Sequence, residues 1–321
     1  MHYKVETASD TPIIFGESPL WDDRRQGLIF VDQLAKSVCF LDPLMREITK
    51  KRVICDDSIK QIQLAMPYAS TTEKFLIGTS KGQLMEWKWD NEKDGSPAET
   101  LYTIPSHPAP FFCDGKCDSN GRFWGGTFSK DQNGDIIAGG GGLYRFQSNK
   151  TDGLYNIEEV GSSYDLSNGM AWNKENTKFY FVDFLPKKIY VFDFNATTGV
   201  IANRKTLFEF AGKPGLKGHP DGMVTDVDGN LWIACVMGGE LIKIDVATGK
   251  QVATIDIPAT MTTSICFGGP KYDKLYVTTT SVDVDVANTP IKGQPDAGKV
   301  FAVSSEKDNS FKGFAHYFFQ P

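Results

Sequence analysis

Six short apolar segments recur along the chain at nearly regular intervals. They start at residues 17, 61, 113, 168, 221 and 264, so the intervals between them are 44, 52, 55, 53 and 43 residues. A loose repeat of about 40–50 residues is the size of one four-stranded blade of a β-propeller. The spacing therefore predicts an all-β fold, a six-bladed β-propeller whose four-stranded blades surround a central channel.

The chain between these segments has the pattern of short strands and turns. Gly27–Asp32 has the composition of a second strand within a repeat, and Ser37–Leu41 that of a third strand. No stretch has an apolar stripe at helical period, and no linker divides the chain, so residues 1–321 are predicted to form a single domain. We expect the ring to close by pairing of Tyr3–Thr7 with Gly313–Phe319, which would leave no long exposed edge.

Four of the six segments begin with a polar side chain, namely Glu17, Cys113, Asn168 and Asp221. Because the innermost strand of every blade lies at the axis, we expect these side chains to converge in the channel, where they can hold a metal ion. Asn-Gly and Asp-Gly dipeptides taken singly are typical of turns. Their repetition at blade spacing favours a shared site.

Charge and composition restrict the partners of the chain. Its net charge is −6, which argues against nucleic acid and anionic membrane surfaces. It contains neither a long apolar run nor the apolar core of a signal peptide. The six cysteines form no CxxC pair, which favours a reduced, cytoplasmic protein. A small molecule is the expected partner, and a monomer or weak dimer the expected state.

A set of motifs follows the repeat in a characteristic order. The motifs are Gly16-Glu-Ser-Pro-Leu-Trp, Asp114-Gly-Lys, Ser167-Asn-Gly-Met-Ala-Trp, Pro220-Asp-Gly-Met and Thr263-Ser-Ile-Cys-Phe-Gly-Gly. This order resembles that of the senescence-marker-protein/regucalcin/gluconolactonase family, which includes insect luciferin-regenerating enzymes. The resemblance implies a six-bladed propeller with one divalent cation in its channel, calcium or zinc, with magnesium and manganese as alternatives. It also implies hydrolysis of lactones, or of other esters or nitrile-type compounds in some members.

The resemblance assigns roles to individual residues. It implies that Glu17, Asn168 and Asp221 bind the metal ion and that Asp221 also serves as general base. Asn168 is further expected to contact substrate. An acidic residue that contacts substrate in some members corresponds to Asp131.

One segment departs from the family pattern, in which an arginine, an apolar residue and an asparagine precede Asp-Gly. Phe111 stands in place of the substrate-binding arginine, and Cys113 in place of the metal-binding asparagine. Phenylalanine offers no hydrogen-bond donor, so Phe111 favours a substrate less polar than gluconolactone. Cys113 has two interpretations: a thiolate ligand, which would favour zinc, or a protonated thiol that lines the channel.

These observations together predict a metal-dependent hydrolase of the lactonase or esterase type. Two alternatives from other classes stay open. One is a non-catalytic protein that binds a divalent metal such as calcium. The other is a small-molecule carrier whose active site has degenerated and whose pocket holds an apolar ligand.

Overall fold

The computed structural model describes residues 3–106, 108–148, 155–213, 215–283, 289–308 and 310–321. These ranges contain strands and turns and no helix, so the all-β prediction is confirmed. The described ranges accordingly hold no helix of the length and apolarity that a membrane span requires. All six cysteines are free.

The strands are short and follow one another closely along the chain. In chain order they are β1 (Tyr3–Thr7), β2 (Gly16–Asp22), β3 (Gly27–Asp32), β4 (Ser37–Asp42), β5 (Glu47–Ile54), β6 (Ile62–Pro67), β7 (Lys74–Thr79), β8 (Gln83–Lys88), β9 (Gly95–Thr103), β10 (Phe111–Cys117), β11 (Phe123–Phe128), β12 (Gly141–Ser148), β13 (Tyr155–Tyr164), β14 (Ser167–Trp172), β15 (Lys178–Asp183), β16 (Lys188–Asn195), β17 (Val200–Glu209), β18 (His219–Thr225), β19 (Leu231–Val236), β20 (Glu240–Asp245), β21 (Lys250–Asp256), β22 (Thr262–Gly268), β23 (Lys274–Thr279), β24 (Val282–Asp283), β25 (Thr289–Pro290) and β26 (Phe301–Ser305).

The strands form antiparallel sheets in which the chain runs from the axis outward. β10 to β13, β14 to β17 and β18 to β21 are four-stranded sheets, and a further one has the order β1-β26-β23-β22. β2 to β9 form one eight-stranded sheet, in which β5 pairs with β9 in parallel. The first strands of these groups, β2, β6, β10, β14, β18 and β22, contact one another in a closed ring. This is the architecture of a β-propeller with a central channel.

The ring closes at β1, but not with the predicted partner. β1 pairs with β26, with Tyr3 opposite Ser305 and Thr7 opposite Phe301. Residues 313–319 instead run as an irregular tail across the end of the channel where the innermost strands finish. There Phe319 is fully buried and packs on Tyr68, with ring centroids 5.1 Å apart. The predicted pairing is wrong because β26 pairs with β1, while the tail buries Phe319 against Tyr68 and Phe146.

Aspartates stabilise the hairpins between first and second strands. Asp226 Oδ1 accepts the N–H groups of Asp228 and Asn230, which closes the turn that the Asp-Val-Asp-Gly sequence predicts. Its Oδ2 accepts the indole N–H of Trp232 and an ion pair from Lys243 at 2.9 Å. The carboxylate is thus completely occupied by the fold itself, as expected of a structural turn.

Candidate metal centre

Each innermost strand has a β-bulge close to its beginning, where the polar side chains were predicted to converge. Asn168 and Gly169, for example, lie between the paired residues Ser167 and Met170, whose partners on β15 are separated by one residue only. A bulge of this kind redirects the side chains of the extra residues. The other bulges near predicted ligands lie between Glu17 and Leu20, Phe112 and Gly115, and Pro220 and Met223.

Two of the glycines that follow predicted ligands mark close contacts between neighbouring innermost strands. A Cβ atom on Gly169 would lie 2.3 Å from the carbonyl oxygen of Asp221, and one on Gly222 would lie 2.0 Å from Ser264 Oγ. No side chain fits at such distances. The Asn-Gly and Asp-Gly dipeptides therefore belong to strand bulges, and their interpretation as turns is wrong.

The structure brings four polar side chains from four repeats together at the beginning of the innermost strands. Glu17, Asp114, Asn168 and Asp221 are 6%, 2%, 5% and 6% exposed. Burial, then the charges of Asp221 and Asp114, raises the pKa of Glu17 well above its usual value. The pKa of Asp221 is also raised well above its usual value, mainly by burial and secondly by the charge of Asp114. A hydrogen bond from Asn168 opposes this shift. Burial and neighbouring negative charge act on these carboxylates together, as expected of side chains that face one low-dielectric pocket.

Two carboxylate oxygens in this pocket, Asp114 Oδ2 and Asp221 Oδ1, are buried without a hydrogen-bond partner in the described ranges. Leaving such an acceptor unsatisfied costs about 1–3 kcal/mol. A divalent cation would satisfy both, and carboxylate and amide oxygens are the ligands that hard cations prefer. The residues present therefore fit such an ion. Within the described part of the chain, no three His, Cys, Asp or Glu side chains are arranged to hold an ion by themselves. The Asn168 amide and water would therefore have to complete the coordination.

Cys113 is half-buried beside the same carboxylates. Burial, followed by the charges of Asp221 and Glu17, raises the pKa of its thiol well above the ordinary value. Without a cation in the pocket this thiol is protonated. Whether it becomes a ligand when a cation binds remains the prediction made above.

Phe111 begins β10, and its ring stacks on Phe128 with centroids 5.1 Å apart at 24°. The adjacent Phe112 points the other way and is fully buried in the core, as the alternation of a strand predicts. Asp131 lies on the exposed loop after β11, where its Oδ1 accepts the N–H groups of Asn133 and Asp135. Asp131 thus caps its own turn, and its contact with substrate remains a prediction.

A cavity of about 130 Å³ lies in the channel beyond the carboxylates, toward the tail. Lys116 lines it and donates a hydrogen bond from Nζ to the carbonyl oxygen of Met223. Burial lowers the pKa of Lys116, while the nearby Asp114 raises it. Residues 314–317 of the tail form one wall of the cavity. Lys116 is not recognisable as a channel residue from the sequence, although the motif Asp114-Gly-Lys contains it, because a lysine in a strand is usually solvated.

The fold and the pocket define a β-propeller with a buried, acidic axial site that suits a divalent cation. This chain belongs to the family described as SMP-30/Gluconolactonase/LRE-like, which matches residues 15–281. Regucalcin of Homo sapiens is 32% identical over 318 residues, 98% of this chain and 97% of the relative. Regucalcin of Bos taurus is 32% identical over 293 residues, 90% of each chain.

Solved structures agree over the whole length. A luciferin-regenerating enzyme superposes with a TM-score of 0.86 at 28% identity and covers 100% of both chains. A calcium-binding regucalcin from Agrobacterium tumefaciens has a TM-score of 0.80 at 20% identity, covering 99% of this chain and 98% of its own. At that identity the second likeness shows the fold alone. The resemblance inferred from the motifs is confirmed.

Proposed function

We propose that this protein is a metal-dependent hydrolase of lactones or related carboxylic esters. The observation that carries the proposal is the pair of unpartnered carboxylate oxygens, on Asp114 and Asp221, inside the acidic pocket. A gluconolactonase of Xanthomonas campestris shares the fold, with a TM-score of 0.67. Family membership supports hydrolysis, and the donor set supports the metal ion.

Glu17, Asn168 and Asp221 would hold the cation. When bound, the ion would supply a Lewis acid for the substrate carbonyl and lower the pKa of water. Asp221, or Asp114 beside it, would serve as the base that accepts the proton of the attacking water. The Asn168 amide would orient Asp221, to which it is hydrogen-bonded.

The wall of the substrate pocket supports a less polar substrate than gluconolactone. Phe111, which stands in place of the family's arginine and offers no donors, stacks on Phe128. Aromatic rings favour apolar or aromatic groups. The substrate-binding set we propose is therefore Phe111, Asn168 and, through its loop, Asp131.

Two other functions remain as alternatives. A regucalcin of the same fold is described as a calcium-binding protein, so a purely calcium-binding role is consistent with the acidic pocket. A carrier of an apolar small molecule is consistent with the aromatic wall. Turnover of any lactone in a metal-dependent manner would exclude both.

We also propose the number of blades, the identity of the ion and the state of the protein in the cell. We infer six blades by dividing the eight-stranded sheet at the parallel contact of β5 with β9, since six innermost strands form the ring. We also propose calcium or zinc as the ion, a single domain, and a cytoplasmic monomer or weak dimer.

The test combines metal binding with turnover. We expect Asp221→Ala to weaken binding of calcium, manganese and zinc at least about a hundredfold in calorimetry, because it removes a charged ligand. The same variant should lose metal-stimulated hydrolysis in a screen of aliphatic and aromatic lactones. Asp228→Ala, which removes an exposed carboxylate from the turn after the same strand, is the control and should change neither. Unchanged affinity of the Asp221 variant for all three ions would refute the proposed site.

A further inference from the structure

Lys130 lies beside the rings of Phe128 and of Phe111, the residue that stands in place of the family's arginine. Its Nζ atom lies 5.5 Å from the centroid of the Phe111 ring and 5.8 Å from that of Phe128. The side chain is half-buried, so the ammonium group is held against the rings rather than extended into solvent. A lysine in this geometry interacts with the π-face of each ring while its N–H groups stay available.

The loop that carries Lys130 belongs to the end of the channel where the carboxylates lie. It follows β11, the strand that pairs with β10, and Gly139 at its end donates an N–H to Asp165, shortly before Asn168. Phe111 precedes Cys113 by two residues of an extended strand, a distance of about 7 Å along the chain. Lys130 therefore stands at the rim of the pocket, just outside the proposed metal site.

The charge of Lys130 is not neutralised by the protein. No carboxylate lies within ion-pair distance of it in the described ranges, where its side-chain contacts are the two rings. The nearest acidic residue in sequence, Asp131, uses Oδ1 to cap its own turn. A partly desolvated ammonium group with free donors is a binding position for an anion.

Building on the proposed function, we propose that Lys130 determines substrate specificity by binding a carboxylate of the substrate. The substrates would be apolar lactones or esters that carry an anionic group, with their apolar part against Phe111 and Phe128. Glu17, Asp114 and Asp221 would otherwise repel such substrates from the channel. Lys130 restores the positive charge that the chain lacks at Phe111, but places it above an aromatic surface.

The test compares two substrates that differ in one charge. One is dihydrocoumarin with a carboxylate on its aromatic ring, and the other is the same lactone with a primary carboxamide there. We expect Lys130→Met to lower kcat/KM for the carboxylate about tenfold through KM, and to leave the carboxamide unchanged. Lys130→Arg should keep most of the preference, and the parent's preference should decrease as salt is added.

Lys74→Met is the control for removing a lysine that lies near an aromatic ring. Its ammonium lies 6.0 Å from the centroid of the Tyr68 ring and 2.7 Å from Glu86 Oε1, at the opposite end of the sheet from the carboxylates, so this substitution should not change the preference. If Lys130→Met lowered kcat/KM equally for both substrates, or lowered it for neither, the inference would be overturned.

Binding of the corresponding lactams separates this inference from the proposed function. If the parent hydrolyses neither lactone, the inference is judged by equilibrium binding alone, while the hydrolase proposal is judged by the lactone screen described above. Tighter binding of the carboxylate lactam by the parent than by Lys130→Met would support it. Equal binding by the two proteins, or no binding by the parent, would refute it.

Discussion

At the scale of single residues, Phe111 and Cys113 distinguish this pocket from the family pattern. Phe111 offers a stacked ring instead of donors, and Cys113 offers a thiol group instead of an amide oxygen. Both precede Asp114 on the same innermost strand, so both changes affect one wall of the channel. They alter substrate and metal contacts while the carboxylates of the other strands stay in place.

The double variant Phe111→Arg with Cys113→Asn should therefore raise gluconolactone hydrolysis at least about tenfold, because it restores one charged donor and one oxygen ligand. The measurement is the initial rate with saturating calcium or zinc. Cys113→Asn alone is the control that restores the ligand without the donor. Efficient hydrolysis of gluconolactone by the parent, or no gain in a folded, metal-loaded double variant, would show that these residues do not set specificity.

At the scale of elements, the irregular tail of residues 313–321 covers the far end of the channel. His316 holds the tail against β22 by a hydrogen bond, with its Nε2 2.8 Å from the carbonyl oxygen of Phe267. Burial lowers the pKa of His316 to about 4, and Lys116 acts in the same direction, while the carbonyl of Phe267 and the charge of Asp23 oppose it. The tail is thus held by a neutral imidazole in a largely desolvated position.

This histidine predicts a loss of stability in acid. The unfolded chain takes up a proton near pH 6.5, but the folded protein does so only near pH 4. The contribution of His316 to the free energy of unfolding is therefore fully present above about pH 6.5. It is lost as the pH falls toward 4, by up to about 3 kcal/mol.

The variant His316→Gln can still donate a hydrogen bond to the Phe267 carbonyl, but it should remove this pH dependence of the unfolding free energy. The measurement is urea denaturation of parent and variant at pH 7, 5.5 and 4.5. Burial raises the pKa of Asp183 to about 6 and gives a contribution of opposite sign, but it is present in both proteins and cancels in the difference. Parallel pH profiles for parent and variant would contradict the assignment.

At the scale of the whole molecule, one short strand joins the two ends of the propeller. β1 completes the sheet of β22, β23 and β26, whose innermost strand β22 contacts β18 on one side and β2 on the other. Its first residue, Tyr3, also contacts Trp232 of the preceding sheet, with ring centroids 5.6 Å apart, and Phe311 at 5.3 Å. Because every innermost strand contacts two others, loosening this closure should affect the entire ring.

We expect Tyr3→Ala to lower the free energy of unfolding by about 1–3 kcal/mol, since the side chain is half-buried between aromatic rings. Fluorescence and circular dichroism should report one coincident urea transition in parent and variant, as a single domain requires. Leu44→Ala is the control, because Leu44 is 91% exposed and should not contribute. Two separate transitions in the parent would contradict the single-domain prediction.

The sequence by itself determined the all-β fold, the repeat and many strand positions. β3 begins and ends where the run Gly27–Asp32 predicts, and β4 begins at the predicted Ser37 and extends one residue beyond Leu41. These features depend on local alternation and on turn residues, which act within one hairpin. Motif order along the chain was likewise sufficient for the family.

Only the tertiary structure decided how distant segments meet. β1 could pair with β26 or with the tail, both of which lie hundreds of residues away along the chain. No local pattern distinguishes these two partners, and only the assembled structure shows that β26 is the one. The glycines after Asn168 and Asp221 are required by the approach of a neighbouring strand, which no local pattern reveals. Lys116 and Lys130 look like ordinary surface lysines in sequence. Their environments follow from burial and ring contacts that arise only when the propeller is assembled.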